Sequence, residues 1–152
     1  MGPGTGSVLL IVTKIVFPPE ICATAERPDI TIWSRILRTV ILIELTCPAE
    51  EGIEPAQLRK NARYQPLCDL ISAAKPSWTP ILLTIEVGMR GCVAHSVRRC
   101  LQKLGLPRRG INTLCRDLSE LVARCSYGIF LARSDKYWTA GPPLRLGEDD
   151  DR

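Results

Sequence analysis

The sequence predicts an α/β domain in which helices flank a small mixed sheet. Two β-branched runs bounded by proline, residues 29–33 and 39–46, are typical of paired strands. A helix is expected to begin near Ile53, and residues 80–87 form an apolar run typical of a strand buried on both faces. Strands and helices in this order favour the α/β class. At 152 residues the chain can bury a single core.

The remaining segments complete this outline. Residues 1–7 are predicted to be a disordered leader, residues 8–138 the domain, and residues 139–152 a disordered acidic tail. Residues 8–17 are expected to form a further strand, ended by Pro18.

Three helical segments are predicted. The first is expected to kink or end at Pro66, because proline removes a helical hydrogen bond, with residues 67–74 as a candidate continuation. Residues 92–104 form the second, and residues 110–133 form the third. The apolar stripe of the third helix is expected to consist of Leu114, Leu118, Leu121 and Val122.

The predicted hairpin brings two carboxylates together. Folding its connection symmetrically pairs Trp33 with Val40 and places Asp29 opposite Glu44. Directly opposed residues have Cβ atoms about 4.5–5.5 Å apart, and carboxylates at that distance repel unless a cation or shared proton lies between them. Because the rest of the hairpin is apolar, a metal ion is the more economical explanation. A slip of one residue would send Glu44 to the other face, and the connection has no glycine or asparagine to define its turn.

Each carboxylate also has a simpler explanation. Asp29 follows a proline at a turn, and Glu44 could end a strand at the surface. This explanation is weaker for Glu44, because a charge inside the apolar run VILIELT needs a reason.

Charge is unevenly distributed along the chain. The net charge is +4, and the segment from Arg90 to Arg116 contains basic residues but no acidic one. Such a block suggests a polyanionic partner such as nucleic acid, although a solvated helix face explains it equally well. The candidate phosphate contacts, which would position DNA without reading its sequence, are Arg90, Arg98, Arg99, Arg108 and Arg109.

Cysteine usage and hydropathy predict where the protein works. The seven cysteines include no CxxC pair, which argues against disulfides and for a reducing compartment. No membrane span is predicted, because the apolar run at residues 8–16 is short and carries Lys14. The first residues lack the positive region of a signal peptide. We therefore expect a nuclear or cytoplasmic protein with no membrane partner.

Four segments, in order, carry a family resemblance. They are RPDI at 27–30, IELTCPAEE at 43–51, RKNARY at 59–64 and IEVGMRG at 85–91. Together they resemble the restriction-like endonuclease domain, of the PD-(D/E)xK type, that follows the reverse transcriptase in some non-LTR retrotransposons. The resemblance covers roughly residues 26–138 and implies a PD-(D/E)xK restriction-endonuclease-like fold.

The resemblance also implies a set of site residues. By it, Asp29 and Glu44 hold Mg²⁺ and Lys60 assists phosphodiester cleavage. Thr46 stands where the general superfamily pattern has lysine, and Lys60 is taken to substitute for that lysine. The alternative is that Lys60 is an ordinary exposed lysine of the helix. Tyr64, one helical turn beyond Lys60, is a candidate contact to the nucleic-acid backbone or a packing residue.

Glu86 is a third acidic candidate, because it belongs to the last of the four segments. It could equally pair with Arg90, four residues further along the chain.

The function implied is that of a magnesium-dependent endonuclease that nicks target DNA to prime reverse transcription. A reverse transcriptase domain of a parent polyprotein would be its partner. The chain has no palm motif or zinc knuckle and lacks the usual N-terminal elements, so we expect an N-terminally truncated fragment or remnant. The alternative is a catalytically inactive nucleic-acid-binding remnant, favoured by Ala49, where the family usually has an aromatic residue, and by Pro66. A third is an interaction domain unrelated to nucleic acid.

Overall fold

The computed structural model describes residues 9–12 and 17–133, which form a mixed α/β domain. The predicted leader and acidic tail lie outside the described residues. The strands are β1, Leu9–Val12; β2, Ile30–Ser34; β3, Thr39–Thr46; and β4, Thr79–Glu86. The helices are α1, Ile53–Ala74; α2, His95–Lys103; and α3, Arg108–Ala132; a 3-10 turn, Glu50–Gly52, precedes α1. The predicted α/β class with a small mixed sheet is confirmed.

The strands lie in the order β1-β2-β3-β4. The pairs β1–β2 and β2–β3 are antiparallel, whereas β4 runs parallel to β3 after the α1 crossover. Trp33 pairs with Val40, so the predicted hairpin register is confirmed. Within the predicted strand at residues 8–17, the described part of the chain contains β1 alone. Because β4 forms an edge of this sheet, Ile81 and Leu82 are only half-buried, and the prediction of burial on both faces is wrong for this part of the strand.

The hairpin connection makes its turn without glycine. The backbone N–H of Leu37 donates to the Ser34 hydroxyl oxygen at 3.2 Å. Arg38 then adopts a left-handed conformation with φ of 49°, which non-glycine residues visit only occasionally. A side-chain hydrogen bond and one unusual backbone angle therefore hold the register that the turn composition alone left open.

Helices cover both faces of the sheet. On one face, Trp33, Val40 and Leu42 pack against the α1 residues Tyr64 and Ile71. The opposite face forms a second cluster, in which the buried residues are Ile43, Leu83 and Cys100. The α1 face carries the candidate site, because Glu44 lies two residues beyond Leu42 and side chains alternate along a strand.

Helix α1 continues through Pro66 to Ala74, so of the two predicted outcomes, a kink or an end, the end is wrong. Proline costs one helical hydrogen bond and crowds the preceding turn. The buried side chains of Tyr64, Leu67 and Ile71 flank Pro66 and pack into one cluster. This packing stabilises the helix on both sides of the proline.

Helices α2 and α3 also differ from their predictions. Helix α2 begins at His95 rather than near residue 92, because Val93 forms a β-bridge with Val87. The buried stripe of α3 begins with Ile111 and Cys115 and includes the predicted Leu118 and Val122. Leu114 is exposed and Leu121 lies outside this cluster, so these two assignments are wrong.

None of the described helices is long and apolar enough to cross a membrane. All seven cysteines lie within the described residues, and each is a free thiol.

Candidate active site

The open end of the β2–β3 hairpin holds Asp29 and Glu44 side by side. Ile30 pairs with Ile43, so the next position along the ladder places Asp29 opposite Glu44. The backbone N–H of Asp29 donates to Glu44 Oε1 at 3.0 Å. The backbone N–H of Leu45 donates to Asp29 Oδ2 at 2.8 Å. Each carboxylate therefore binds the backbone of the opposite strand, which fixes its position.

Lys60 brings a positive charge to this pair from helix α1. Its Nζ lies 2.6 Å from Glu44 Oε2. The Glu44 side chain is 0% exposed and the Lys60 side chain 27% exposed. A buried carboxylate is costly unless it is paired and hydrogen-bonded, and Lys60 and the Asp29 N–H meet both requirements. The structure thus brings together the three predicted catalytic residues, from the residue before β2, from β3 and from α1.

Tyr64 lies one turn beyond Lys60 and is buried, with 3% of its surface exposed. Its hydroxyl donates to the backbone oxygen of Arg27 at 3.3 Å. Burial, followed by the charge of Glu44, raises the Tyr64 pKa to about 12. These contacts favour the packing role over a contact with nucleic acid.

Arg90 is held by acidic residues of the 3-10 turn that precedes α1. Its backbone N–H donates to Glu50 Oε1 at 2.7 Å, and its Nε donates to Glu50 Oε2 at 2.8 Å. A second guanidinium nitrogen lies 3.7 Å from Glu51. The hydrogen bond from Arg90 lowers the pKa of the Glu50 carboxyl. Arg90 thus ties the turn after β4 to the 3-10 turn before α1, and the alternative pairing with Glu86 is wrong.

The other predicted phosphate contacts lie on α2 and α3. Arg98 donates to the Asn112 side chain at 2.8 Å. Arg99, Arg108 and Arg109 are exposed and form no ion pair with the described residues. Two of these cations stand in the first turn of α3, which has no acidic residue, although the positive end of a helix favours acids. Their charges are therefore available to an anionic partner.

Glu86 lies on the same sheet face as Glu44. In the parallel ladder Glu44 pairs with Thr84 and Thr46 with Glu86, and residues two apart point the same way. Glu86 is fully buried and accepts a hydrogen bond from the Ser96 hydroxyl through Oε2. Its Oε1 has no hydrogen-bond partner among the described residues. The carboxylate is thus held on one side by a neutral donor alone.

A polar groove of about 310 Å³ runs between α1 and α2 along the edge strand β4. Its polar lining residues are Gln57, Asn61, Thr84, Ser96, Arg99 and Lys103. Of these residues, only Arg99 was predicted from the sequence to contact a ligand. Helical spacing could also have indicated Ser96 and Lys103, because they share one face of α2 with Arg99.

The hairpin offers two carboxylates to a cation, and three of their four oxygens already accept protein hydrogen bonds. Mg²⁺ is usually bound by one or two carboxylates together with waters and substrate phosphates. Asp29 and Glu44 supply two carboxylates, and Asp29 Oδ1 accepts no hydrogen bond from the described residues. Within residues 9–12 and 17–133 no group of three or more His, Cys, Asp or Glu residues could hold an ion. Metal binding at the hairpin would therefore depend on this pair alone.

Comparison of the chain with protein-family models gives no match, and a search of curated proteins gives none either. The family resemblance accordingly rests on the four sequence segments alone.

Proposed function

We propose that this domain is a magnesium-dependent DNA endonuclease. The observation that carries the proposal is the 2.6 Å contact between Lys60 Nζ and Glu44 Oε2 beside Asp29. A metal ion on an acid pair can supply the charge stabilisation and the activated water that hydrolysis of a phosphodiester needs, and a lysine can stabilise the developing charge. The two acids and the lysine come from three separate segments of the chain, and the resemblance named the same three residues.

Each group has a chemical role in the proposed reaction. Asp29 and Glu44 would hold Mg²⁺, which when bound stabilises charge on phosphate oxygens and activates a water. The Asp29 N–H and the Lys60 ammonium fix the orientation of Glu44. The same ammonium is the nearest described cation to that carboxylate and would stabilise negative charge that develops on the phosphate.

In its proposed context, the cut is a nick in target DNA that supplies the primer for reverse transcription. A reverse transcriptase domain from a parent polyprotein would extend that primer. The resemblance of the four segments to retrotransposon endonucleases supports this part of the proposal.

Nicking of supercoiled plasmid with and without Mg²⁺ tests the proposed activity. The substitutions Asp29→Asn and Glu44→Gln remove the charges while they keep the side-chain size. We expect each to lower the nicking rate roughly 100-fold or more, the scale seen when one electrostatic group is lost from an active site. Asp69→Asn, an exposed acid on α1, is the matched control and should nick like the unaltered protein. Nicking by Glu44→Gln at the rate of the unaltered protein would contradict the proposal.

A second candidate function is nucleic-acid binding without cleavage. Both Glu44 oxygens already accept hydrogen bonds from protein donors, Asp29 N–H and Lys60 Nζ. A carboxylate with both oxygens paired in this way can have a purely structural role, as one member of an ion pair. This candidate predicts no nicking, together with salt-sensitive DNA retention that is equal in the unaltered protein, Asp29→Asn and Glu44→Gln.

A further inference from the structure

The polar groove between α1 and α2 has two chemically different walls. Arg99 and Lys103 of α2 form one wall, Gln57 and Asn61 of α1 form the other, and Thr84 lies on the floor. Its volume of about 310 Å³ is at the low end of small-ligand sites, roughly 300–1,000 Å³. The groove therefore has room for one small ligand.

The α2 wall carries positive charge with nothing described to neutralise it. Arg99 and Lys103 are four residues apart on one helix face and form no ion pair within residues 17–133. The segment from Arg90 to Arg116 contains no acidic residue. Two neighbouring cations of this kind suit a phosphate group.

The α1 wall presents amides. Gln57 Nε2 donates to the Thr84 hydroxyl oxygen at 3.2 Å, which leaves its carbonyl oxygen to accept a bond from a ligand. Asn61 is exposed and makes no side-chain hydrogen bond with the described residues. Side-chain amides carry both donors and acceptors, and Asn and Gln are the residues that pair with adenine through two hydrogen bonds. This wall suits the edge of a base.

The groove opens beside the candidate active site. Gln57 lies three residues before Lys60 on α1, and the floor residue Thr84 pairs with Glu44 in the sheet. A strand whose scissile phosphate reached Glu44 could therefore place a neighbouring nucleotide in the groove.

We propose that this groove binds one nucleotide of the DNA strand, next to the phosphate that is cut. The phosphate of that nucleotide contacts Arg99 and Lys103, and its base contacts Gln57 and Asn61. This inference rests on the proposed endonuclease function, since it names how the same site holds its substrate. The groove has room for one nucleotide and not for a duplex, so the strand is single at this point.

Binding of a fluorescent single-stranded oligonucleotide, measured by anisotropy in EDTA across a salt series, tests the phosphate wall. The double variant Arg99→Gln with Lys103→Gln should bind at least tenfold more weakly. The slope of log K against log salt should become shallower by about 0.7, the change for one single-strand phosphate contact, because both cations bind the same phosphate. The control is Arg116→Gln with Arg124→Gln, which makes the same charge change at exposed, ion-paired positions of α3. Equal losses in the two double variants would overturn the proposal, because general charge would then explain the binding.

The amide wall is tested with Asn61→Ala and with an oligonucleotide of abasic sites. We expect Asn61→Ala to weaken binding of the normal strand severalfold without changing the salt slope, and to leave abasic binding unaltered. Equal affinity of the unaltered protein for normal and abasic strands would overturn the base contact. Circular dichroism on every variant confirms that the fold persists.

The two proposals fail in different ways. If the variants of the α2 wall bind like the unaltered protein while Glu44→Gln abolishes nicking, the groove is not the subsite and the endonuclease stands. If Glu44→Gln nicks at the unaltered rate while the α2 wall variants lose affinity, the endonuclease proposal fails and the groove stands as a DNA-binding site.

Discussion

Glu44 and Glu86 are both buried, on neighbouring strands and on the same face of the sheet, yet their surroundings differ. Glu44 binds a backbone N–H and an ammonium, one at each oxygen. Glu86 binds the Ser96 hydroxyl at one oxygen and has no described partner at the other. Glu44 thus has a cationic partner for its charge, whereas Glu86 has only a neutral hydrogen-bond donor.

The difference separates a candidate reactive group from a structural one. Lys60 is partly exposed, so solvent or substrate can reach the ion pair that it forms with Glu44. Glu86 instead ties β4 to the start of α2, since its backbone oxygen accepts from the Ala94 N–H at 3.1 Å and its side chain holds Ser96. Burial alone does not distinguish these two roles, whereas the identity of the hydrogen-bond donors does.

The largest expected effect comes from removing the cation that compensates Glu44. Lys60→Met leaves a buried carboxylate without its partner, and we expect a loss of about 3 kcal/mol in the free energy of unfolding, because breaking a buried pair costs about 3–5 kcal/mol. Urea denaturation measures this loss, with the exposed Lys75→Met as control. Adding Glu44→Gln to Lys60→Met should recover part of the loss, since no charge is then stranded. A double variant less stable than Lys60→Met would contradict this account of the pair.

Parallel amide substitutions compare the two glutamates directly. Glu44→Gln weakens a charged hydrogen bond to Lys60 and should cost about 1.5–3 kcal/mol, the range for bonds to charged groups. Glu86→Gln keeps an acceptor for Ser96 and removes a charge that no described cation balances, so we expect a change within about 1 kcal/mol or a gain in stability. The free energies of unfolding of the two variants at pH 7 check this difference. Equal losses would mean that the charge of Glu86 has a partner as effective as Lys60.

Much of the strand pattern could be predicted from the sequence. Runs of β-branched residues and flanking prolines predict the bounds of β3 and the start of α1. Folding the hairpin symmetrically about its connection predicts the pairing of Trp33 with Val40. These signals are local, because each depends on neighbours within one hairpin or one helical turn. The opposition of Asp29 and Glu44 followed from the same register.

The features that depend on packing between distant elements were less predictable. Leu114 and Ile111 are both apolar, and only the placement of α3 against α2 decides that Ile111 is buried. The groove residues Asn61 and Lys103 lie 42 positions apart, by their numbers, and meet only because α1 and α2 both flank β4. No periodicity in the chain carries that information.

The smallest expected effect is a change in the titration of Tyr64, which senses the charge at Glu44. Burial is the main cause that raises the Tyr64 pKa to about 12, and the charge of Glu44 adds to it. Below pH 10 the phenol keeps its proton in folded and unfolded chains, so its stabilising effect is complete. Between pH 10 and 12 the unfolded chain alone releases that proton, and stability falls as the pH rises.

The tyrosinate absorbance at 295 nm, taken as the difference between the unaltered protein and Tyr64→Phe, follows this single group. In the Glu44→Gln background the Tyr64 pKa should fall, because the neighbouring negative charge is gone. In the Glu86→Gln background it should not move, since Glu86 is not among the groups that shift it. Equal shifts in both backgrounds would show that the two carboxylates affect the α1 face alike, and the distinction between them would then rest on Lys60 alone.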